Sequence, residues 1–169
     1  MAWHFREAIE TDSAAICRLI PTQEELFRVY PRGTYPFTVD QVRQLFEIRK
    51  ALTVTIDNGE IIGFANLYDF SENQRAFIGN VVIDQAFRGQ GIGKCLVEYM
   101  RDLAFSRYKL NEVHISVFSD NTPALLLYSS LGFKPYAIEE RKNYSGKRVA
   151  LLHLKWNKAE DHNKNESMS

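Results

Sequence analysis

Val81-Val82-Ile83-Asp84-Gln85-Ala86-Phe87-Arg88-Gly89-Gln90-Gly91-Ile92-Gly93-Lys94 joins a short apolar run to a turn in which every second residue is glycine. The β-branched run Val81 to Ile83 predicts a buried strand. Beyond the turn, Ile92, Leu96, Met100, Leu103 and Ala104 fall at helical spacing, with Lys94, Glu98, Arg101 and Asp102 opposite. That pattern predicts a long amphipathic helix. A helix N-terminus carries unsatisfied N–H groups and the positive end of the peptide dipoles, so the turn is an expected anion site. Gly89, Gly91 and Gly93 let a phosphate approach the backbone without a Cβ in the way. Arg88 and Lys94 add positive charge nearby.

Two common phosphate loops do not fit. A Walker A loop places four residues between its first Gly and Gly-Lys-[Ser/Thr], but Gly89 to Gly93-Lys94 leaves three, and Cys95 replaces the hydroxyl that would hold magnesium. A dinucleotide fingerprint counted from Gly89 needs glycine at position 94, where Lys94 stands. The remaining bland alternative is a glycine turn that only starts a helix.

Working outward, Trp3 to Ile9 alternates and predicts a first strand. Thr11 or Asp12 is placed to cap a helix to about Ile20, stopped by Pro21. Thr22-Gln23-Glu24-Glu25 is a capping box for a second helix, ending near Tyr30-Pro31. A loop from Arg32 to Phe37 leads to Thr38, which opens a third helix to about Arg49. Leu52 to Ile56 and Ile61 to Phe70 are strands joined by the hairpin turn Asp57-Asn58-Gly59. After a turn over Ser71 to Arg75, the strand Ala76 to Asp84 includes the quoted run. Downstream, Glu112 to Phe118 is a strand. Asn121 is expected to cap a helix through Leu131, which Gly132 terminates. Phe133 to Tyr144 and Lys147 to Trp156 form a last hairpin across Ser145-Gly146. The order is β, helices, β-β-β, helix, β, helix, β-β, a mixed α/β class with antiparallel meanders and about seven strands.

The chain has 169 residues, 45% hydrophobic and 25% charged, which suits one globular domain, here 1–157, with 158–169 as a disordered polar tail. Lys+Arg and Asp+Glu are 21 each, so no broad field attracts nucleic acid or an anionic membrane. No apolar stretch reaches the ~20 residues a membrane span needs. Met1 to Glu7 lacks the apolar region of a secretory signal. Cys17 and Cys95 have no metal-ligand spacing and read as packed, reduced thiols, as in a cytoplasmic protein. No motif for a metal is present.

At this point the sequence resembles the GNAT acetyltransferases. Their signature [Gln/Arg]-x-x-Gly-x-[Gly/Ala] is met by Arg88-Gly89-Gln90-Gly91-Ile92-Gly93. A second stretch, Asn121 with Tyr128 seven residues on and then Leu131-Gly132-Phe133, is similar to the family's second signature. The resemblance covers about Trp3 to Trp156. It implies a largely antiparallel central sheet flanked by four to five helices, with acetyl-CoA as co-substrate. It also implies that Val81, Val82 and Ile83 pair through their backbone with the pantetheine arm, that Arg88 to Lys94 hold the pyrophosphate, and that Asn121 contacts the cofactor. Tyr128 would protonate the leaving thiolate. By its residue type alone, Tyr128 reads equally as a core tyrosine bonded to a carbonyl. A distant similarity to ribosomal-protein alanine acetyltransferases departs at Ser116, where those proteins carry Glu.

The implied reaction is acetyl transfer to a primary amine by direct attack; the alternative is a non-catalytic CoA- or acyl-CoA-binding regulatory module. A lysine-like amine, with a pKa of about 10.4, is only about one part in a thousand neutral at pH 7.4, a cost of roughly 4 kcal/mol, whereas an α-amino group costs less than about 1 kcal/mol. His114, facing the same side of its strand as Ser116, and Glu72, in a turn, are candidate bases. Phe27, Tyr30, Tyr35, Phe37 and Tyr68, with Asp69, Glu72 and Tyr144, are candidate lining for a small amine or peptide N-terminus. The last hairpin offers an edge for a homodimer.

Overall fold

The computed structural model describes residues 3–158. The strands are β1 (Trp3–Glu7), β2 (Lys50–Asp57), β3 (Glu60–Ser71), β4 (Arg75–Ile83), β5 (Glu112–Phe118), β6 (Lys134–Lys142) and β7 (Arg148–Asn157). The α-helices among the described residues are α1 (Ser13–Arg18), α2 (Gln23–Val29), α3 (Val39–Ile48), α4 (Ile92–Ser106) and α5 (Thr122–Ser130). The strands form a seven-stranded sheet in the order β1-β2-β3-β4-β5-β7-β6. The pairs β1-β2, β2-β3, β5-β7 and β6-β7 are antiparallel, as the meander pattern predicts. The chain divides into two compact units, one made of the chain up to Tyr68 with Ile78–Met100, the other of Asp69–Phe77 with the chain from Arg101 on.

In the first unit, Asn58 (φ 47°) and Gly59 (φ 79°) take the left-handed conformations that a two-residue hairpin turn demands. Thr22 and Thr38 cap α2 and α3 by accepting from the N–H of Glu25 and Gln41. α3 buries Val42 and Leu45, three residues apart, with Ile16 of α1 in the same core. Each such side chain contributes roughly 1.5–3 kcal/mol of burial. Two boundaries differ from expectation. β1 ends at Glu7 because the chain turns into a short 3₁₀ segment, Glu10–Asp12. Asp12 stands at the start of α1, but its carboxylate does not cap it. It accepts both guanidinium bonds of Arg6, at 2.8 and 3.0 Å, and the N–H of Ile9 at 2.9 Å. A bidentate ion pair at a nearly buried acid outweighs a cap bond.

In the second unit, β5 and β7 pair in continuous register, with Ser116 opposite His153, and β6 pairs β7 with one shift between Pro135 and Ala137, beyond which Ile138 lies opposite Leu152. The β6–β7 turn is closed by Asn143, whose Oδ1 accepts the N–H of Ser145 and of Lys147. That Asx turn ends β6 two residues earlier than expected and starts β7 one residue later. Helix α5 stops through a Schellman pair, Phe133 N–H to the Tyr128 carbonyl at 3.0 Å and Gly132 N–H to the Ser129 carbonyl at 3.1 Å. Gly132 (φ +92°) also leaves room for Trp156, which a Cβ would approach to 3.2 Å. The expected tail lies outside the described residues except for Lys158, whose N–H bonds the Asn111 carbonyl.

Candidate active site

The glycine turn has the expected form. After β4 a short 3₁₀ segment, Gln85–Phe87, is capped by Asp84, which accepts the Ala86 N–H at 2.9 Å. Gly89 (φ +80°) and Gly91 (φ +83°) are left-handed, and a Cβ at either would meet nothing within 4 Å. Glycine is therefore required there for backbone conformation, and the surface above it is open. Gly93 is different. It has no left-handed φ, and an added Cβ would only touch Ile83 at 3.7 Å. The Gly91 carbonyl accepts the Cys95 N–H, so the N–H groups of Ile92, Gly93 and Lys94 have no partner within the helix. Those donors with the exposed Lys94 and Gln90 fit a diphosphate by charge and by the absence of side-chain bulk.

Arg88 does something the sequence did not suggest. Its Nε donates to the Ile83 carbonyl at 3.0 Å and its Nη2 to Glu25 Oε1 at 2.8 Å. It thus clamps the end of the Val81-Val82-Ile83 run to the turn and to α2. The other Glu25 oxygen is buried with no hydrogen-bond partner among the described residues.

Just before that run, Asn80 holds φ +52° inside a strand. A left-handed asparagine there costs on the order of 1–3 kcal/mol and persists only if its surroundings hold it. They do: Asn80 Nδ2 donates to the Val29 carbonyl at 3.0 Å, and its Oδ1 accepts from the fully buried Asn66 at 2.7 Å. Asn66 Oδ1 in turn accepts from Arg49, whose guanidinium lies 4.2 Å from the Tyr68 ring centroid and 5.6 Å from that of Tyr30. Gly79 makes this possible, since a Cβ would come within 2.5 Å of Tyr68 and 2.8 Å of Arg49.

In the second unit, Tyr128 is 7% exposed, and the Schellman bond to its carbonyl and the Phe133 ring at 6.3 Å fix its place. Burial pushes its hydroxyl up to about 12, so it is protonated at neutral pH. Asn121 precedes α5 and its carbonyl accepts the Leu125 N–H, but its side chain makes no cap bond, contrary to the expected capping role. Its backbone ψ of 69° lies outside the extended conformation that the capping residues Thr22 and Thr38 hold, at 156° and 158°.

A polar face lies on β5, β7 and β6. Glu112, His114 and Ser116 share one side of β5, and Val113, Ile115 and Val117 are buried on the other. His114 Nε2 lies 2.8 Å from Glu112 Oε1 and Nδ1 lies 2.7 Å from the Tyr136 hydroxyl. Tyr136 is the irregular residue between Pro135 and Ala137, where the register shifts and the side chain is re-aimed. Burial drives the His114 pKa down, against the pull of Glu112.

The sequence profile of the Acetyltransferase (GNAT) family matches residues 19–133. The chain belongs to the GNAT family. It is 26% identical over 102 residues to a spermine/spermidine N(1)-acetyltransferase of Bacillus subtilis, covering 57% of this chain and 65% of that one. It is 32% identical over 116 residues to a streptothricin acetyltransferase of Streptomyces lavendulae, covering 69% and 61%. The matched stretch is thus under two thirds of either relative. Among solved structures, spermidine N-acetyltransferase from Vibrio cholerae in complex with CoA and spermine superposes with a TM-score of 0.80 at 16% identity, covering 94% and 96% of the chains. The ribosomal-protein-S18-alanine N-acetyltransferase of Escherichia coli does so with 0.73 at 20%, covering 92% and 93%. At these identities the likeness establishes the shared fold.

Of the candidate acceptor-lining residues of this GNAT chain, Phe37 is core, 8% exposed and packed edge-on to Tyr30 at 6.2 Å. Tyr30 and Tyr68 flank Arg49. Tyr35 and Tyr144 are exposed, as are Asp69 and Glu72, and Phe27 is half-buried. His114, with both ring nitrogens engaged and 3% exposed, is a held, neutral imidazole rather than an open base. Sequence reading missed Arg49, Asn66 and Asn80. A signal existed for two of them: Asn66 interrupts the apolar run Ile61 to Phe70, and Asn80 follows a mid-strand glycine. Among the described residues no cluster of His, Cys, Asp and Glu is arranged to hold a metal, and no helix is long and apolar enough to cross a membrane.

Proposed function

We propose that this chain is an acetyl-CoA-dependent N-acetyltransferase acting on a primary amine, with residues 1–157 as its functional domain. One observation carries the reading: two left-handed glycines, in the turn that follows a strand, present the bare N-terminus of a long helix in a chain of the GNAT family. Acetyl-CoA, when bound, supplies a thioester already activated toward an amine. In this reading the N–H groups of Ile92, Gly93 and Lys94, with Gly89, Gln90 and Gly91, hold its diphosphate. Arg88 contributes by fixing the turn. The Val81, Val82 and Ile83 backbone holds the pantetheine arm, and the strand's N–H groups face the negative charge that develops on the carbonyl oxygen. Asn121 keeps a side chain uncommitted to its own helix for contact with the cofactor. Tyr128 is the general acid: burial keeps its hydroxyl protonated at neutral pH, so the proton is in place when the thiolate leaves.

The acceptor is a small amine or a peptide N-terminus; the first is the kind of substrate for which the spermine/spermidine relative is named. The place of action is the cytoplasm. β6 ends the sheet and exposes Ile138, which supports a homodimer formed along that edge. The test is an acceptor screen with amino acids, polyamines, aminoglycosides and short peptides, reading thiol release from acetyl-CoA. Release with one acceptor class supports the reading, and tight CoA binding without release from any acceptor favours the regulatory module.

A further inference from the structure

We propose that Glu25 and Asn80 are positioning residues for acetyl-CoA: through them helix α2 fastens both ends of the Val81–Ile83 run that receives the pantetheine arm. The inference rests on the acetyl-transfer reading and extends it to α2. Every residue involved belongs to the first compact unit.

The Ile83 end is held by a charged fork. Arg88 Nε donates to the Ile83 carbonyl at 3.0 Å, and Nη2 of the same rigid guanidinium donates to Glu25 Oε1 at 2.8 Å. The Ile83 peptide therefore cannot turn without displacing Glu25 or breaking a charge-assisted bond. The pair is partly sheltered from water, with the Glu25 side chain 20% exposed and that of Arg88 45%. One residue on, the Asp84 N–H donates to the Ile62 carbonyl at 2.7 Å and ties the same end to β3.

The other end is held by an amide. Val29 is the last residue of α2, and its carbonyl lacks the N–H that a further helical turn would bring, because the Gly33 N–H donates to the Tyr30 carbonyl instead. Asn80 Nδ2 supplies the missing donor at 3.0 Å. Its Oδ1 accepts from the fully buried Asn66 at 2.7 Å, so the amide is fixed on both sides. That fixing keeps the Asn80 backbone at φ +52° and sets the direction of the Val81 peptide that follows. The arm runs from diphosphate to thioester. The Ile83 end, beside the glycine turn, thus takes its diphosphate side, and the Val81 end takes its thioester side.

The two attachment points, Glu25 and Val29, lie four residues apart on one side of α2. With seven residues, α2 is well short of the ~12–15 at which an isolated helix becomes marginal, so tertiary bonds hold it. The coupling is reciprocal: an arm bound to the run steadies α2, and loosening α2 frees the run.

The test uses full-length wild type, E25A, E25Q, N80D and N80G with acetyl-CoA as the probe, well below each thermal midpoint. E25A removes the acceptor of Arg88, and N80D sets a carboxylate oxygen against the Val29 carbonyl. Each is expected to weaken acetyl-CoA about tenfold by calorimetry, the lower end of what an orienting partner contributes. E25Q keeps an oxygen for Arg88 and stays close to wild type. N80G keeps the left-handed backbone without the side chain, and should match N80D. In hydrogen exchange read by mass spectrometry, acetyl-CoA should slow residues 23–29 in wild type and E25Q, but not in E25A or N80D. A merely structural role would lower the thermal midpoint and leave both readouts unmoved, since each is taken on folded chain. Wild-type affinity in E25A, N80D or N80G, or exchange at 23–29 that acetyl-CoA leaves unchanged in wild type, overturns the proposal. A wild-type chain that gives no heat with acetyl-CoA contradicts the acetyl-transfer reading itself, a different and distinguishable failure.

Discussion

The glycine turn before α4 and the polar face of β5, β7 and β6 are built on different principles. The turn is made of backbone: two residues in a conformation that only glycine adopts cheaply, followed by a helix end whose first donors have no partner within the helix. The face is made of side chains brought together by strand register, Ser116 meeting His153 across 37 residues and Tyr136 meeting His114 across 22. A backbone device leaves its mark in consecutive residues. A register device leaves none, because each of its members is an ordinary polar residue until the strands pair.

That contrast can be broken or sharpened by substitution. The largest effect is expected at Tyr128: Tyr128→Phe should slow transfer about a hundredfold while acetyl-CoA affinity, read by calorimetry, stays at the wild-type value. Equal loss of affinity would move Tyr128 from acid to cofactor contact. Next is His114→Leu, which strands Glu112 and Tyr136 and should cost about 2 kcal/mol in urea unfolding at neutral pH. The same variant tests pH dependence. The folded His114 pKa lies below its ordinary 6.5, so near and below that value the unfolded chain binds more protons. The histidine's contribution to stability is therefore present above 6.5 and lost as pH falls toward the folded value, and His114→Leu should flatten that decline. A smaller effect is expected at Gly91, where φ +83° makes Gly91→Ala cost about 1 kcal/mol. The smallest is Gly93→Ala, with ordinary backbone and a 3.7 Å contact, expected within about 0.5 kcal/mol of wild type by thermal unfolding. Similar losses at Gly91 and Gly93 would remove the conformational explanation of the turn.

The legible and illegible parts divide along the same line. Strand and helix order, the Asn58-Gly59 hairpin and the Leu131-Gly132-Phe133 terminator could be read because each is set by local periodicity or by a left-handed residue. The terminator shows why the second signature has its form: Gly132 turns the chain, and Phe133 returns to bond and pack on Tyr128. Arg88 was legible as a cation but not as a clamp, because its partner Glu25 lies 63 residues away. Residue type alone makes Asp12 and Asn121 candidate caps. Only the structure shows that Arg6 claims the first and that the second has the wrong ψ. Asn80, Asn66 and Arg49 form a network, buried at the two asparagines, that links α2, the residue after α3, β3 and β4, and no single segment announces it.

The account turns on the grip of helix α4's first amides on a diphosphate, and calorimetry with two ligands addresses it. Titration of the full chain with acetyl-CoA should give saturable heat at one site per chain, and S-acetylpantetheine, which keeps the thioester but lacks the diphosphate, should give none at the same concentrations. No heat with acetyl-CoA, or equal affinity for the two ligands, would contradict the account.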